Sequence, residues 1–242
     1  MPRFFVTKDQ IADGRITLDG ENARHISLVL RCKEGQAVTV CDGAGTDYNC
    51  TIAGLAPESV SLLVQSTSPT ASEPKISVQL FVALQKGDKF EYMLEKAVEL
   101  GVTGITPFVS ARCVSTPDAK QLQKKVERWN KIVAAASKQS GRGIIPAVAP
   151  VCTFKDAVQQ ATGGYLPLFL YEGEENYTLK QALLQPCEAI AIMVGPEGGF
   201  SAEEARHAEK SGMIKTTLGK RILRCETAPL FALGAIAFHN DL

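Results

Sequence analysis

Gly195-Pro196-Glu197-Gly198-Gly199-Phe200 sets three glycines around one carboxylate, directly after the apolar run Ala189 to Val194. Glycines lack Cβ atoms and reach positive φ, so backbone of this composition can come close to a bound molecule. A phosphate is a poor fit. The stretch lacks G-x-x-x-x-G-K followed by Ser or Thr, and Glu197 repels an anion. No G-x-G-x-x-G opens a helix after a strand; Gly43-Ala44-Gly45 stops short. A neutral or cationic small ligand suits the loop, with an ordinary tight turn before a helix as the plain alternative. A second stretch, Leu218 to Ala228, joins apolar Leu218, Ile222 and Leu223 to the cations Lys220, Arg221 and Arg224. It reads as an apolar slot for a flat ring beside groups able to hold an anion. The plain alternative is a buried connection with solvated basic residues. A third stretch, Leu170-Tyr171-Glu172-Gly173-Glu174, adds further carboxylates.

All three stretches follow short apolar runs: Leu166 to Tyr171, Ala189 to Val194 and Ile214 to Leu218. Upstream, Ile76 to Val82 and Ile105 to Val109 read as strands too. Residues 88–100 and 118–138 carry apolar residues at helical spacing: Phe90, Leu94, Ala97 and Val98 in the first, Leu122, Val126, Trp129 and Val133 in the second. Ser201-Ala202-Glu203-Glu204 is a capping box that opens a helix ended by Gly212, and Glu226 to His239 reads as an apolar helix. Strands alternating with helices imply a mostly parallel sheet covered on both faces, with ligands beyond the C-terminal strand ends.

The first part of the chain has another texture. Arg15 to Leu18, Ala37 to Val40, Cys50 to Leu55 and Val60 to Val64 are short strands at roughly ten-residue spacing, the pattern of a small β-barrel. Residues 66–74, polar and Pro-containing, read as a linker. Two domains are expected, at residues 1–68 and 74–242.

Composition bounds the function. The chain has 242 residues, 45% hydrophobic and 21% charged, with 26 Lys+Arg against 26 Asp+Glu. Zero net charge excludes a strongly basic nucleic-acid coat, although residues 118–142 carry Lys120, Lys124, Lys125, Arg128, Lys131, Lys138 and Arg142 against only Asp118 and Glu127. That run is either a solvated helix face or a phosphate-binding one. The seven cysteines include no C-x-x-C pair and the three histidines are dispersed, so no metal site is expected and a reduced, cytoplasmic setting fits best. No apolar run is long enough to span a membrane or to serve as a signal segment.

The two C-terminal motifs, from Gly195 to Ser201 and from Leu218 to Ala228, resemble those of the family that methylates N3 of a uridine in 16S ribosomal RNA, within the SPOUT superfamily of methyltransferases. The resemblance continues through Glu95 to Val102 with Ile105-Thr106-Pro107, through Arg128-Trp129, through Gln139 to Pro146, and through Arg3-Phe4-Phe5 and His25 to Arg31 near the start. It covers nearly the whole chain. Cys225 departs from it, standing where Thr is more usual.

The resemblance implies an α/β fold class: an N-terminal PUA-like β-barrel that binds RNA, and a C-terminal SPOUT α/β domain whose last part threads a deep trefoil knot. It implies S-adenosylmethionine as cofactor, 16S ribosomal RNA as partner, and a homodimer with each site near the subunit interface. Carried over residue by residue, Leu170, Glu172, Gly195, Glu197, Gly198, Leu218, Gly219, Ile222 and Leu223 surround the cofactor. Arg224, always protonated, is expected to stabilise uracil O2 or O4. Glu226 and Glu197 are candidate bases for the N3 proton, each with the plainer role of capping a helix N-terminus. Arg3, His25, Arg31, Arg112 and Arg142 are the expected RNA contacts. Two rivals stand beside this: a non-catalytic RNA-binding factor in ribosome assembly, and a nucleotide-dependent phosphotransferase.

Overall fold

A computed structural model describes residues 3–113, 118–173 and 177–240. The chain divides into two compact units: Met1–Glu73 with Ser137–Ile145, and Pro74–Ala136 with Pro146–Leu242.

The first unit is built on a six-stranded sheet. Its strands are β1 (Arg3–Phe5), β2 (Ile11–Ala12), β3 (Arg15–Asp19), β4 (Ala37–Cys41), β5 (Thr46–Ala56) and β6 (Ser59–Pro69). They lie in the order β1-β4-β5-β6-β3-β2. Only the β1–β4 pair is parallel. Asp13 and Gly14, both at positive φ, turn β2 into β3, which suits the right-handed twist of the flanking strands. On β3, Ile16 and Leu18 point inward while Arg15, Thr17 and Asp19 face water. With Ile26, Val40, Ile52, Val60 and Leu62 they form the core. Helix α1 (Gly20–Arg24) runs on into a π-helical turn at His25–Val29, which the strand-like spacing of this region did not reveal.

The expected linker, residues 66–74, begins inside a strand, and the boundary between the units falls near its end, between Glu73 and Pro74. Residues 66–69 are the end of β6, with Ser66, Thr67, Ser68 and Pro69 paired to Asn49, Tyr48, Asp47 and Thr46. Their side chains are exposed, so the backbone ladder holds them and no apolar alternation marks them. A single boundary near residue 70 is corrected as well, because Ser137–Ile145 returns to the first unit.

The second unit holds a parallel sheet in the order β10-β8-β7-β12-β11-β13, with β9 (Ala147–Val148) beside β8. The strands are β7 (Ser77–Ala83), β8 (Gly104–Val109), β10 (Cys152–Thr153), β11 (Leu166–Leu170), β12 (Ala189–Val194) and β13 (Ile214–Thr216). Helices α2 (Lys89–Glu99), α3 (Ala119–Ser140), α4 (Phe154–Ala161), α5 (Leu179–Ala182), α6 (Ala202–Lys210) and α7 (Thr227–Asn240) connect or follow them. The buried runs on β7, β8 and β12 are those of strands covered on both faces. Phe81, Phe108, Phe169, Met193 and Phe200 lie in one apolar cluster. The capping box at α6 forms as the sequence predicts, with Ser201 Oγ accepting from the Glu204 amide at 3.1 Å and the Glu204 carboxylate accepting from the Ser201 amide at 2.9 Å.

The basic run lies largely on an exposed helix face, as both readings of it require. Lys120, Lys124, Lys125, Lys131 and Lys138 are exposed, and Arg128 pairs with Glu91 at 2.6 Å. Trp129 and Val133 are buried, the former 4.3 Å from the Phe90 ring.

Candidate functional site

Strand β11 lies between β12 and β13, and all three run parallel. Parallel neighbours end on the same side, so the three chemistry-bearing loops open side by side past their C-terminal ends. They close a cavity of about 840 Å³ lined by apolar, acidic and basic residues together.

Leu170, 9% exposed, Leu218, Ile222 and Leu223 supply apolar wall, with Ile222 at the mouth, 83% exposed. Gly195 is buried, and a Cβ there would stand 3.1 Å from the Phe200 ring. That ring is fixed by Phe169, its centroid 4.2 Å away. Gly219 sits at φ 111° and its amide donates to Thr217 Oγ1 at 3.2 Å, a turn that a side chain would strain. Of the glycine pair, Gly199 lines the cavity; Gly198 does not, and instead offers its carbonyl outward to the Arg112 guanidinium at 2.8 Å.

Among the described residues, three carboxylates line the cavity: Glu172, Glu197 and Glu226. Glu172 is exposed, and Glu174 of the same loop lies outside the described residues. Glu197 accepts from the Lys86 amide at 3.0 Å, tying its loop to the segment that follows β7. Glu226 precedes α7. Burial raises its pKa, but its own backbone amide, the Cys225 thiol and the Lys89 ammonium together hold it below the usual carboxylate range. The Cys225 thiol donates to Glu226 Oε2 at 3.2 Å and is pushed up to about 12, by burial first and then by Glu226. Arg224 is exposed, and its carbonyl accepts from the Thr227 and Ala228 amides at the start of α7.

Lys89 and Thr178 line the cavity without having been flagged in the sequence, and Lys89 sets its Nζ 3.6 Å from Glu226 Oε1. It begins α2 just past β7, and β7 is the other neighbour of β12 in the sheet. A fourth strand-end loop therefore meets the site. The signal existed in the alternating pattern, but the order of strands did not.

The five arginine and histidine candidates for RNA contact divide. Arg142 is 3% exposed and its guanidinium is engaged with Glu73, so it is withdrawn from that role. Arg3 is partly buried: it donates to Asp47 at 2.6 Å and to the Gly141 carbonyl, with 16% of its side chain exposed. Arg112, exposed, braces the glycine loop through Gly198. His25 and Arg31 are exposed on the first unit, His25 edge-on to the Phe4 ring. Among the described residues, no group of three or more His, Cys, Asp or Glu could hold a metal ion, and no helix is long and apolar enough to cross a membrane.

An α/β unit with a mixed-charge cavity at its strand ends, joined to a small β unit, defines a two-part ligand-binding protein, and the comparison with known proteins says of which kind. Residues 72–237 match a family described as an RNA methyltransferase domain, and residues 18–65 an RNA methyltransferase PUA domain. The chain is 34% identical to ribosomal RNA small subunit methyltransferase E of Bacillus subtilis, over 100% of this chain and 98% of that one. It is 35% identical to the protein of the same name from Mesomycoplasma hyopneumoniae, over 96% of this chain and 97% of the other. The crystal structure of ribosomal RNA small subunit methyltransferase E from Neisseria gonorrhoeae bound to S-adenosyl methionine superposes with a TM-score of 0.87 at 32% identity, covering 98% of this chain and 97% of that one. The chain belongs to the ribosomal RNA small subunit methyltransferase E family.

Proposed function

We propose that this protein transfers a methyl group from S-adenosylmethionine to N3 of a uridine in 16S ribosomal RNA. The observation that carries the reading is the single cavity closed by the loops after β11, β12 and β13, in which apolar wall, carboxylates and cations meet. The residues fit such a cofactor. Gly195 leaves room that a Cβ would fill, the apolar residues can flank an adenine ring, and Glu172 and Glu197 can face positive charge. When bound, S-adenosylmethionine supplies a methyl group on a positively charged sulfur.

The chain's own residues do the rest. The walls from Leu170, Leu218, Ile222 and Leu223 hold the ring and exclude water, and backbone groups around Gly195, Gly199 and Gly219 set its orientation, with Gly198 bracing the loop through Arg112. Arg224 stabilises the negative charge that develops on a uracil carbonyl oxygen. Glu226 receives the N3 proton. Its lowered pKa keeps it charged at neutral pH, ready as an acceptor. His25 and Arg31 on the first unit contact the RNA, whose target uridine must be unpaired or flipped out for N3 to be reached.

The same reading carries the barrel and the trefoil knot implied by the family, a cytoplasmic setting, and a homodimer. Supporting the dimer, Leu184 (71% exposed), Phe231 and Phe238 (74% exposed) present apolar surface on and beside α5 and α7. A groove of about 360 Å³ there shares Thr178, Thr217, Leu218 and Gly219 with the larger cavity.

Calorimetry with S-adenosylmethionine, together with mass spectrometry of small-subunit RNA before and after incubation, tests the function. Tight binding and a new 3-methyluridine are the expected result; absence of either overturns it.

A further inference from the structure

Lys89 and Glu226 stand side by side at the cavity wall. The separation of 3.6 Å exceeds the 2.7–2.9 Å of a direct charge-assisted hydrogen bond. Both groups line the cavity, and the ion pair they form is loose enough for each to contact a bound molecule as well. Glu226 is also oriented: its Oε2 accepts from the Cys225 thiol, and the Cys225 carbonyl in turn accepts from Gln85 Nε2 at 3.2 Å. Oε1 is left toward Lys89. The cavity, at about 840 Å³, is in the upper part of the usual range for small-molecule sites and has room for a flat ring beside a first ligand.

We propose that Lys89 and Glu226 form the seat of the acceptor base and select uracil over cytosine, the carboxylate accepting N3–H and the ammonium donating to the adjoining carbonyl. The assignment rests on the methyltransferase reading above and adds a specificity-determining residue, Lys89, to it.

Uracil offers a ring N–H donor flanked by two carbonyl acceptors. A carboxylate beside an ammonium is the complement of that edge. Cytosine presents a ring-nitrogen lone pair to the carboxylate and an exocyclic amino donor to the ammonium, so both contacts turn repulsive. In the reaction, N3 forms its bond to the methyl carbon while its proton passes to Glu226 Oε1. The carbon–sulfur bond breaks with its electron pair going to sulfur, which becomes neutral. Lys89 donates to one carbonyl oxygen and stabilises the charge there; Arg224 faces the other. Glu226 then returns its proton to water.

The test uses Glu226→Gln, Lys89→Met and Lys89→Arg in the full chain. The probes are small-subunit RNA transcripts carrying uridine, cytidine or 5-fluorouridine at the target position. Calorimetric affinity for S-adenosylmethionine and thermal melting report folding. For Glu226→Gln, kcat falls about 10²–10⁴-fold, the loss typical of a positioned general base, with cofactor affinity unchanged. Its residual rate climbs with pH, and 5-fluorouridine, whose N3 proton is more acidic, restores more of the rate than it adds to the wild type. In equilibrium binding without cofactor, the wild type prefers the uridine transcript over the cytidine one by roughly tenfold, the scale of one good edge contact. Lys89→Met loses that preference and Lys89→Arg keeps it. A Glu226→Gln pH profile parallel to the wild type, or an unchanged preference in Lys89→Met, overturns the assignment. If the wild type itself methylates another base, the proposed function fails. If it makes 3-methyluridine while the variants behave as stated in the overturning case, only the pair's role fails.

Discussion

Arg142 and Glu73 meet at 2.8 Å in the first unit, with 4% and 15% of their side chains exposed. The same Glu73 carboxylate accepts from the Gly143 amide at 2.7 Å and the Ile144 amide at 3.0 Å. One carboxylate thus secures Ser137–Ile145 to the β unit, and Gly143 packs so closely that a Cβ there would collide with the Thr70 side chain.

Removing one partner of such a pair leaves a buried charge unmatched, so Glu73→Gln should cost about 3 kcal/mol, the lower end for buried pairs. Burial raises the Glu73 pKa, but Arg142 and the two amides outweigh it and hold the carboxyl below its ordinary value. A carboxyl lowered by folding contributes stability that is present above its unfolded pKa and lost as pH falls through the folded one. Urea unfolding of wild type and Glu73→Gln should therefore differ most near neutral pH and converge in acid, below the ordinary carboxylate range. A gap that does not depend on pH contradicts this account.

Gly195→Val places branched bulk against the Phe200 ring, 3.1 Å from where Cβ would stand. Phe200 cannot retreat easily, being packed on Phe169 and in line with Phe108. Overpacking of this kind costs roughly 1–3 kcal/mol of stability. The displaced wall intrudes on the cavity, and each 1.4 kcal/mol lost in binding is about tenfold in affinity. Calorimetry should show S-adenosylmethionine affinity falling at least about tenfold, with a lowered but cooperative melt. Unchanged affinity removes Gly195 from the cofactor wall.

Arg31 and Arg142 were alike in sequence and differ in the structure, one exposed and the other 3% exposed. Arg31→Ala should weaken RNA binding and reduce the slope of log K against log salt by about 1, the share of one phosphate contact. Arg142→Ala should lower the melting temperature while leaving the slope of the protein still folded unchanged. Filter binding across a salt series, done on both variants, decides which arginine meets phosphate.

Much of the second unit was legible because its strands are continuous apolar runs and its helices carry apolar stripes. Ala189 to Val194 is a strand with the same ends, and Ser201 caps α6 as the spacing demands. The three loops were legible for the same reason. Strand order was not, since hydrogen bonding between β12 and β7 leaves no mark on either segment; hence Lys89 went unnoticed. Residues 66–69 were misread because an exposed ladder pairs backbone only. Ser137–Ile145 was misplaced because its tie to Glu73 joins residues about seventy positions apart, where no local pattern reaches.

Phe231 and Phe238 are exposed on α7, whose uniformly apolar composition leaves no polar face for water. Apolar surface of this kind on a folded protein marks an interaction site. If a second copy covers it, Phe238→Asp buries a charge at the interface and should convert a dimer to a monomer in sedimentation. The groove beside α7 and the cofactor cavity share Leu218 and Gly219, so losing the partner loosens a wall of the site. Cofactor affinity should then fall by roughly tenfold, equivalent to about 1.4 kcal/mol, although Phe238 does not line the cavity. A monomer that keeps full affinity separates the two surfaces, and a variant that remains dimeric moves the interface elsewhere.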